Sequence, residues 1–129
     1  MKIEHLAIWV DQLEEMRQFY EEYFEATAGD LYHNPKKNFT SYFLSFDEGC
    51  RLELMHKPEI PENRNDVHDQ YRGIIHFAIS VGSKERVDKL TEELRAAGHP
   101  IVGEPRTTGD GYYESVVLDP EGNRVEITA

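Results

Sequence analysis

Two histidines and two glutamates lie in short apolar segments that recur along the chain. His5 opens the segment HLAIWV, and His76 opens the similar segment HFAISV, 71 residues later (76 − 5). Glu53 lies in the segment RLEL and Glu126 in the segment RVEI, 73 residues later (126 − 53). Because the two offsets are nearly equal, the sequence indicates a duplicated unit that supplies one imidazole and one carboxylate in each copy.

These four side chains are candidate ligands of a divalent metal ion. Successive residues of a β-strand point to opposite faces, so the four fall on the face opposite the apolar residues that a helix would cover. Two carboxylates on a partly buried face are costly unless a positive charge compensates them. Nitrogen and oxygen ligands without a thiolate suit six-coordinate Ni, Co, Fe, Mn or Zn. Four protein ligands would leave two positions of one ion for water or a chelating substrate.

Each of these residues also has a simpler interpretation. A lone histidine in a strand is usually hydrogen-bonded or faces solvent. Arg51 and Arg124 lie two residues before Glu53 and Glu126 and on the same strand face, where they would form ion pairs with the glutamates. A stray histidine is not expected to recur in register with a stray glutamate, however, so the repeat favours the metal site.

The elements that must position these residues follow the same order in both copies. The first copy is predicted to form a strand, a helix capped by Asp11 and ended at Gly29, and a hairpin that carries Glu53. The second is predicted to form a strand, a helix capped by Ser83, and two or three further strands. We expect one domain over residues 1–129, with module one at 1–56, a breaker-rich linker at 57–73 and module two at 74–129.

Composition narrows the choice of partners. The chain has 129 residues and a net charge of −11, which argues against nucleic acid and anionic membrane surfaces, since both are bound through Lys and Arg. Cys50 is the only cysteine, which excludes an intramolecular disulfide and fits a reducing compartment. No apolar stretch near the N-terminus has the length of a signal peptide. We expect a cytoplasmic protein that acts on a small molecule.

The chain resembles the vicinal oxygen chelate superfamily, which includes glyoxalase I, extradiol dioxygenases, fosfomycin-resistance enzymes, methylmalonyl-CoA epimerase and bleomycin-binding proteins. The resemblance covers the whole chain. It rests on His5-x-Ala7-x-x-Val10, on Phe19-Tyr20 late in the first helix, on His76-x-Ala78-x-x-Val81, and on the DPEGN motif at 119–123 followed by Glu126. It implies an α+β fold in which two tandem βαβββ modules form a cup-shaped mixed sheet around the metal, and it implies a homodimer.

Within this superfamily the resemblance implies a ligand set and a chemistry. His5, Glu53, His76 and Glu126 match the four ligands of bacterial glyoxalase I and of the epimerase, in which vicinal oxygens of the substrate bind the metal and a proton is moved. This implies a metal-dependent lyase or isomerase with one divalent ion per site, Glu126 as the first choice of base and Glu53 as the second. One alternative is an extradiol-type dioxygenase, whose ligands would be His5, His76 and Glu126. The other is a non-catalytic drug-binding protein of the bleomycin-resistance type, whose members lack the ligands.

Departures from the glutathione-dependent members concern the substrate. Those members carry an Arg in the first strand and an Asn after the first ligand Glu, where this chain has Trp9 and Lys57. The sequence therefore leaves two alternatives to glutathione, which are another thiol and a substrate that is not a thiol. Arg51 and Arg124 are candidates for binding a substrate carboxylate or phosphate, although pairing with acids at the rim is the favoured interpretation. The other candidate pocket residues are Trp9, Phe39, Phe43, Tyr112 and Tyr113.

Overall fold

Each half of the chain folds as one helix against one mixed β-sheet. The computed structural model describes all 129 residues and divides into two units, Met1–Glu62 and Asn63–Ala129. The order strand, helix, strands is the same in both units, with one more strand in the first than in the second. This confirms the α+β class and the repeated βαβββ pattern expected from the sequence. Neither helix is long and apolar enough to cross a membrane.

The first unit contains β1 (His5–Trp9), α1 (Leu13–Phe24), β2 (Thr27–Ala28), β3 (Tyr32–Asn34), β4 (Phe39–Ser45) and β5 (Arg51–His56). The order of its sheet is β1-β5-β4-β2, and β3 pairs with β4. β1 and β5 run parallel, with His5 opposite Arg51 and Ala7 opposite Glu53. The other pairs are antiparallel, so the first strand of the unit lies beside the last one at the edge of a mixed sheet.

The second unit contains β6 (His76–Ser80), α2 (Lys84–Ala96), β7 (Ile101–Thr107), β8 (Tyr113–Leu118) and β9 (Arg124–Thr128). Its sheet has the order β6-β9-β8-β7. β6 and β9 run parallel, with His76 opposite Arg124 and Ala78 opposite Glu126. The register therefore repeats that of the first unit residue for residue.

A separate apolar core holds each helix on its sheet. The buried side chains of both helices recur every three or four residues, which places them on one helix face. Burying a side chain such as that of Leu54, which is fully buried, stabilises the fold by about 2 kcal/mol. The core residues are Met16, Phe19, Tyr20, Phe24, Leu44, Leu52 and Leu54 in the first unit, and Val87, Leu90, Leu94, Val117, Val125 and Ile127 in the second.

The two helices begin differently. Ser83 caps α2 as expected, because its hydroxyl accepts the backbone N–H of Arg86 at 3.2 Å. In α1 the N-cap is Gln12, and no side chain caps the helix, so the expectation of a cap at Asp11 is wrong. The start of α1 therefore depends on the packing of its apolar face and not on a local signal.

The first helix also ends earlier than Gly29. Glu25 adopts the left-handed conformation, with φ 55°, and Ala26 donates its N–H to the carbonyl of Tyr20 at 3.1 Å. This is a common way to satisfy the last carbonyls of a helix, usually with glycine in place of Glu25. β2 lies in the segment expected to be helical, and β3 includes His33 and Asn34 of the expected loop. Between them, the N–H of Gly29 donates to the carbonyl of Phe43 at 2.9 Å.

The connection between β5 and β6 contains an ordered turn in the second unit. The Asn65 Oδ1 atom accepts the N–H of Tyr71 at 2.7 Å. The Asp66 Oδ1 atom accepts the N–H groups of His68 at 2.6 Å and Asp69 at 2.7 Å. Residues 65–71, which the sequence places in a linker, therefore have a defined conformation held by two side chains.

Candidate metal centre

Each candidate ligand lies on the sheet face that the helix does not cover. Along β5 the buried Leu52 and Leu54 alternate with Glu53, whose side chain is 14% exposed. Ala7 is the lateral partner of Glu53 on β1, so His5, two residues earlier, shares the face of that carboxylate. In β9, Glu126 alternates in the same way with the buried Val125 and Ile127, so its side chain, which is 19% exposed, points to the other face of the sheet.

In each unit the imidazole Nε2 atom faces the carboxylate. His5 Nε2 lies 3.9 Å from Glu53 Oε2, and His76 Nε2 lies 3.3 Å from Glu126 Oε2. Two atoms each about 2.1 Å from a shared ion are separated by about 3.0 Å at an octahedral angle and about 3.4 Å at a tetrahedral one. The second pair already has this spacing, and the first would have to close by about 0.5 Å.

A neighbouring carboxylate orients the first histidine. His5 Nδ1 lies 2.5 Å from Glu4 Oε2, and since a carboxylate only accepts, the imidazole proton resides on Nδ1. The lone pair of the neutral ring is then on Nε2, the atom that faces Glu53. An imidazole held by a carboxylate at one nitrogen and bound to metal at the other is a common arrangement in metalloproteins.

Arg51 supports the same carboxylate. Its Nη2 atom donates to Glu4 Oε1, and its guanidinium carbon lies 4.1 Å from the centre of the Phe43 ring. The Phe43 ring also meets His5 edge-on, with 5.4 Å between ring centroids. The hydrogen bonds from His5 and then from Arg51 lower the pKa of the Glu4 carboxyl. Arg51 therefore has the acidic partner expected of it, and that partner is Glu4.

The second pair lacks this support. Ile75 occupies the position before His76 that Glu4 occupies before His5, so the preceding residue offers no carboxylate to His76 Nδ1. Arg124 forms no ion pair within 4 Å, but its charge is among the causes that lower the pKa of the Asp66 carboxyl. Its Nη2 atom donates to the backbone carbonyls of Asp66 and Val67, at 2.9 Å each. Asp66 is therefore an acidic neighbour of Arg124, with no direct ion pair between the two side chains.

The candidate ligands are grouped in twos. The structure contains no group of three or more His, Cys, Asp or Glu side chains placed to hold a metal ion. Within each unit, the chemistry of the donors fits a divalent ion, since one imidazole nitrogen and one carboxylate oxygen face each other. The four-ligand set stays a prediction.

Three aromatic residues lie on the same sheet face as the first pair, further along the strands. Trp9 and Phe39 meet edge-on with ring centroids 6.0 Å apart, and Tyr32 meets Phe39 at the same distance. Both Trp9 and Tyr32 are exposed. Tyr32 was missing from the sequence prediction, because it precedes the loop signal at residues 33–35 and its strand β3 has only three residues.

The two tyrosines of the second unit do not share a location. The Tyr113 hydroxyl donates to Asp88 of α2 at 2.7 Å, and Lys84 lies 5.2 Å from the centre of its ring. Tyr113 therefore lies on the helix side of the sheet, away from the face of Glu126. Tyr112 is exposed in the turn between β7 and β8, where its N–H binds the Thr108 hydroxyl at 3.1 Å.

Comparison with known sequences covers nearly the whole chain. Residues 2–127 match the model of the Glyoxalase/Bleomycin resistance protein/Dioxygenase superfamily. The chain is 27% identical over 128 residues to the protein YqjT of Bacillus subtilis (strain 168), a match that spans 97% of this chain and 96% of that protein.

Solved structures show the same fold. Glyoxalase I from Zea mays is 24% identical with a TM-score of 0.78, over 98% of this chain and 44% of the maize chain. This chain thus spans less than half the length of the maize protein. The trypanothione-dependent glyoxalase I of Leishmania major is 23% identical with a TM-score of 0.77, over 99% of this chain and 86% of that one. At these identities the two structures establish the fold, and the match over residues 2–127 establishes that the chain belongs to the Glyoxalase/Bleomycin resistance protein/Dioxygenase superfamily.

Proposed function

We propose that this protein is a metal-dependent lyase or isomerase of the glyoxalase I type, acting on a small substrate with vicinal oxygens. His5, Glu53, His76 and Glu126 would hold one divalent ion of Ni, Co, Zn, Mn or Fe. The observation that carries the proposal is the repeated pair, in which the Nε2 atom of each histidine faces a carboxylate oxygen at 3.9 Å or 3.3 Å. An ion pair between a lone histidine and a glutamate would not need to recur at the same register positions.

A proton-transfer reaction follows from the donor set. Bound at these residues, a divalent ion would polarise two substrate oxygens as a Lewis acid. A ligand glutamate would take a proton from the carbon next to those oxygens and return it to another position, so the reaction needs no redox cofactor.

Glu126 is the better candidate for this base. Its lateral neighbours in the sheet are Ala78 and Val116, whereas Glu53 lies between Ala7 and the larger Phe43. The ring of Phe43 is itself fixed against Arg51, which restricts the space beside Glu53. Glu126 therefore has more freedom to leave the ion and accept a proton.

We infer that glutathione is not the substrate, because Trp9 occupies the strand position where the glutathione-dependent members carry an arginine. An exposed indole next to the Phe39 ring offers apolar contact and no charge for a glutathione carboxylate. From the family resemblance we also expect a homodimer.

Elemental analysis tests the metal. Purified protein incubated with Ni, Co, Zn or Mn and desalted should hold one equivalent of ion per site. His76→Ala and Glu126→Gln should lose it, whereas His33→Ala and Glu15→Gln, two exposed residues outside the pairs, should keep it. Wild-type protein that retains no stoichiometric ion would refute the proposal.

Two further measurements separate the alternatives. An extradiol-type dioxygenase should consume oxygen with a catechol when loaded with Fe(II), and a lyase or isomerase should not. A drug-binding protein should bind its ligand equally well after complete removal of metal. Loss of ligand binding on demetallation, with no oxygen uptake, is the result expected here.

A further inference from the structure

Arg51 and Arg124 occupy equivalent positions in the two copies of the repeat, yet they have different partners. Each is the lateral neighbour of the histidine of its unit and precedes the glutamate by two residues. Two copies of one position in one chain provide an internal comparison, because their local sequence and strand geometry are alike. What differs is the chemistry around the guanidinium.

The Arg51 guanidinium is paired with a carboxylate, although it too donates only through its Nη2 atom. It donates to Glu4, and its charged plane lies over the Phe43 ring at 4.1 Å. The carboxylate neutralises its charge and the ring covers one of its faces. Because Glu4 also binds His5 Nδ1, the contact of Arg51 with Glu4 positions the first histidine.

The Arg124 guanidinium has donors to spare. Only Nη2 is used, by the carbonyls of Asp66 and Val67, while Nε and Nη1 make no hydrogen bond. The Asp66 carboxylate is turned towards the backbone N–H groups of His68 and Asp69. Arg124 thus keeps a positive charge and three unused N–H donors beside the second His–Glu pair.

This state is unusual among the arginines of the chain. Five of the eight form an ion pair with a carboxylate within 4 Å, as expected in a protein with 25 acidic residues. Arg64 and Arg72 are exposed in the connection between β5 and β6, and Arg124 is the one half-buried arginine without an ion pair within 4 Å, although the charge of Asp66 still acts on it. The five paired residues are Arg17, Arg51, Arg86, Arg95 and Arg106.

We propose that Arg124 binds a carboxylate of the substrate, whereas Arg51 acts only as a positioning residue for His5. The proposal rests on the proposed metal function. Arg124 lies two residues before Glu126 on the same strand face, about 6.6 Å away along the strand, and this spacing would let one substrate reach both side chains. The ordered turn at residues 65–71 fixes the guanidinium through two backbone carbonyls. The substrate class is therefore a small anionic chelator with a carboxylate separate from its chelating oxygens.

Two hydroxamates of similar length test this in protein loaded with Co(II). Both chelate through vicinal oxygens, but the monohydroxamate of succinic acid carries a carboxylate and butyrohydroxamate does not. Calorimetry should show the succinate compound bound about tenfold or more tighter by wild type, since a hydrogen bond to a charged group contributes about 1.5–3 kcal/mol. Arg124→Gln should abolish this preference. Arg51→Gln, and Arg72→Gln as a control for net charge, should keep it.

A metal-free measurement separates failure of this proposal from failure of the metal function. In ¹⁵N-labelled apoprotein, the Nε–H signal of Arg124 should shift on addition of pyruvate and not on addition of the neutral pyruvamide. A shift without any hydroxamate binding in wild type would refute the metal function and keep the carboxylate site. No shift, or a hydroxamate preference that survives Arg124→Gln or is lost equally in Arg51→Gln, would overturn the assignment of Arg124.

Discussion

Removing the Glu4 carboxylate should weaken metal binding without touching a ligand. In the first unit Glu4 accepts from His5 Nδ1 at 2.5 Å and also from Arg51, so Glu4→Ala frees the imidazole to rotate and to move its proton to Nε2. Loss of a carboxylate that orients a metal-bound histidine typically costs 10–100-fold in metal affinity. The Glu4 side chain is 56% exposed, and water and salt screen it, so we expect the lower end, about tenfold.

The assay is competition for Co(II) or Zn(II) against a coloured chelator, at low and at high salt. Glu22→Ala, an exposed glutamate of α1, serves as the control for lost negative charge. The ¹⁵N shifts of the His5 ring, measured without metal, should show a proton on Nδ1 in wild type and a mixture of tautomers in Glu4→Ala. If Glu4→Ala binds metal as tightly as wild type although its ring has changed tautomer, the reasoning about orientation is refuted.

Three predictions concern the scaffold and can be checked by urea unfolding. Leu54→Ala empties a fully buried site and should cost about 3 kcal/mol of unfolding free energy, and a loss under 1 kcal/mol would contradict the core described above. Ser83→Ala removes the cap of α2 and should cost about 1 kcal/mol, whereas Ser83→Asp should restore it. The Tyr42 hydroxyl donates to Glu14 and lowers the pKa of that carboxyl in the folded state. The stability from this pair is therefore fully present above the pKa of Glu14 in the unfolded chain and is lost as pH falls through the lowered folded-state pKa. Tyr42→Phe should therefore lose more stability at pH 7 than at pH 3, and an equal loss at both would count against it.

The sequence predicts correctly which strand face a residue occupies where the hydrophobic pattern is local and periodic. Alternation in β5 and β9 places Glu53 and Glu126 opposite the core, and the structure has the same alternation. Tyr112 lies in the turn before β8 and Tyr113 is the first residue of that strand, so the two side chains have different surroundings. Even in one continuous strand, two adjacent residues would point to opposite faces. The expectation that both line one pocket overlooked this rule, and the contact of Tyr113 with Asp88 shows the outcome.

Other features depend on partners far away in sequence. The contacts of Arg124 join it to carbonyls 57 and 58 residues earlier, and no local pattern predicts which group a long side chain will reach. The early end of α1 at Phe24 depends on Glu25 adopting φ 55°, a conformation that the sequence would assign to a glycine. The partner of Arg51 was easier to predict, because Glu4 precedes the histidine that lies opposite Arg51 in the sheet.

The division of the four candidate ligands between two separate cores links metal binding to the cooperativity of unfolding. An ion that takes ligands from both units binds only while both are folded, so it stabilises them jointly. At a free concentration one hundred times its dissociation constant, such an ion contributes about 2.7 kcal/mol to that joint stability. Loading with the ion should therefore bring the unfolding of the two units closer to a single transition. The ion proposed to bind the duplicated pairs would thus be a cross-link between two units that each have a core of their own.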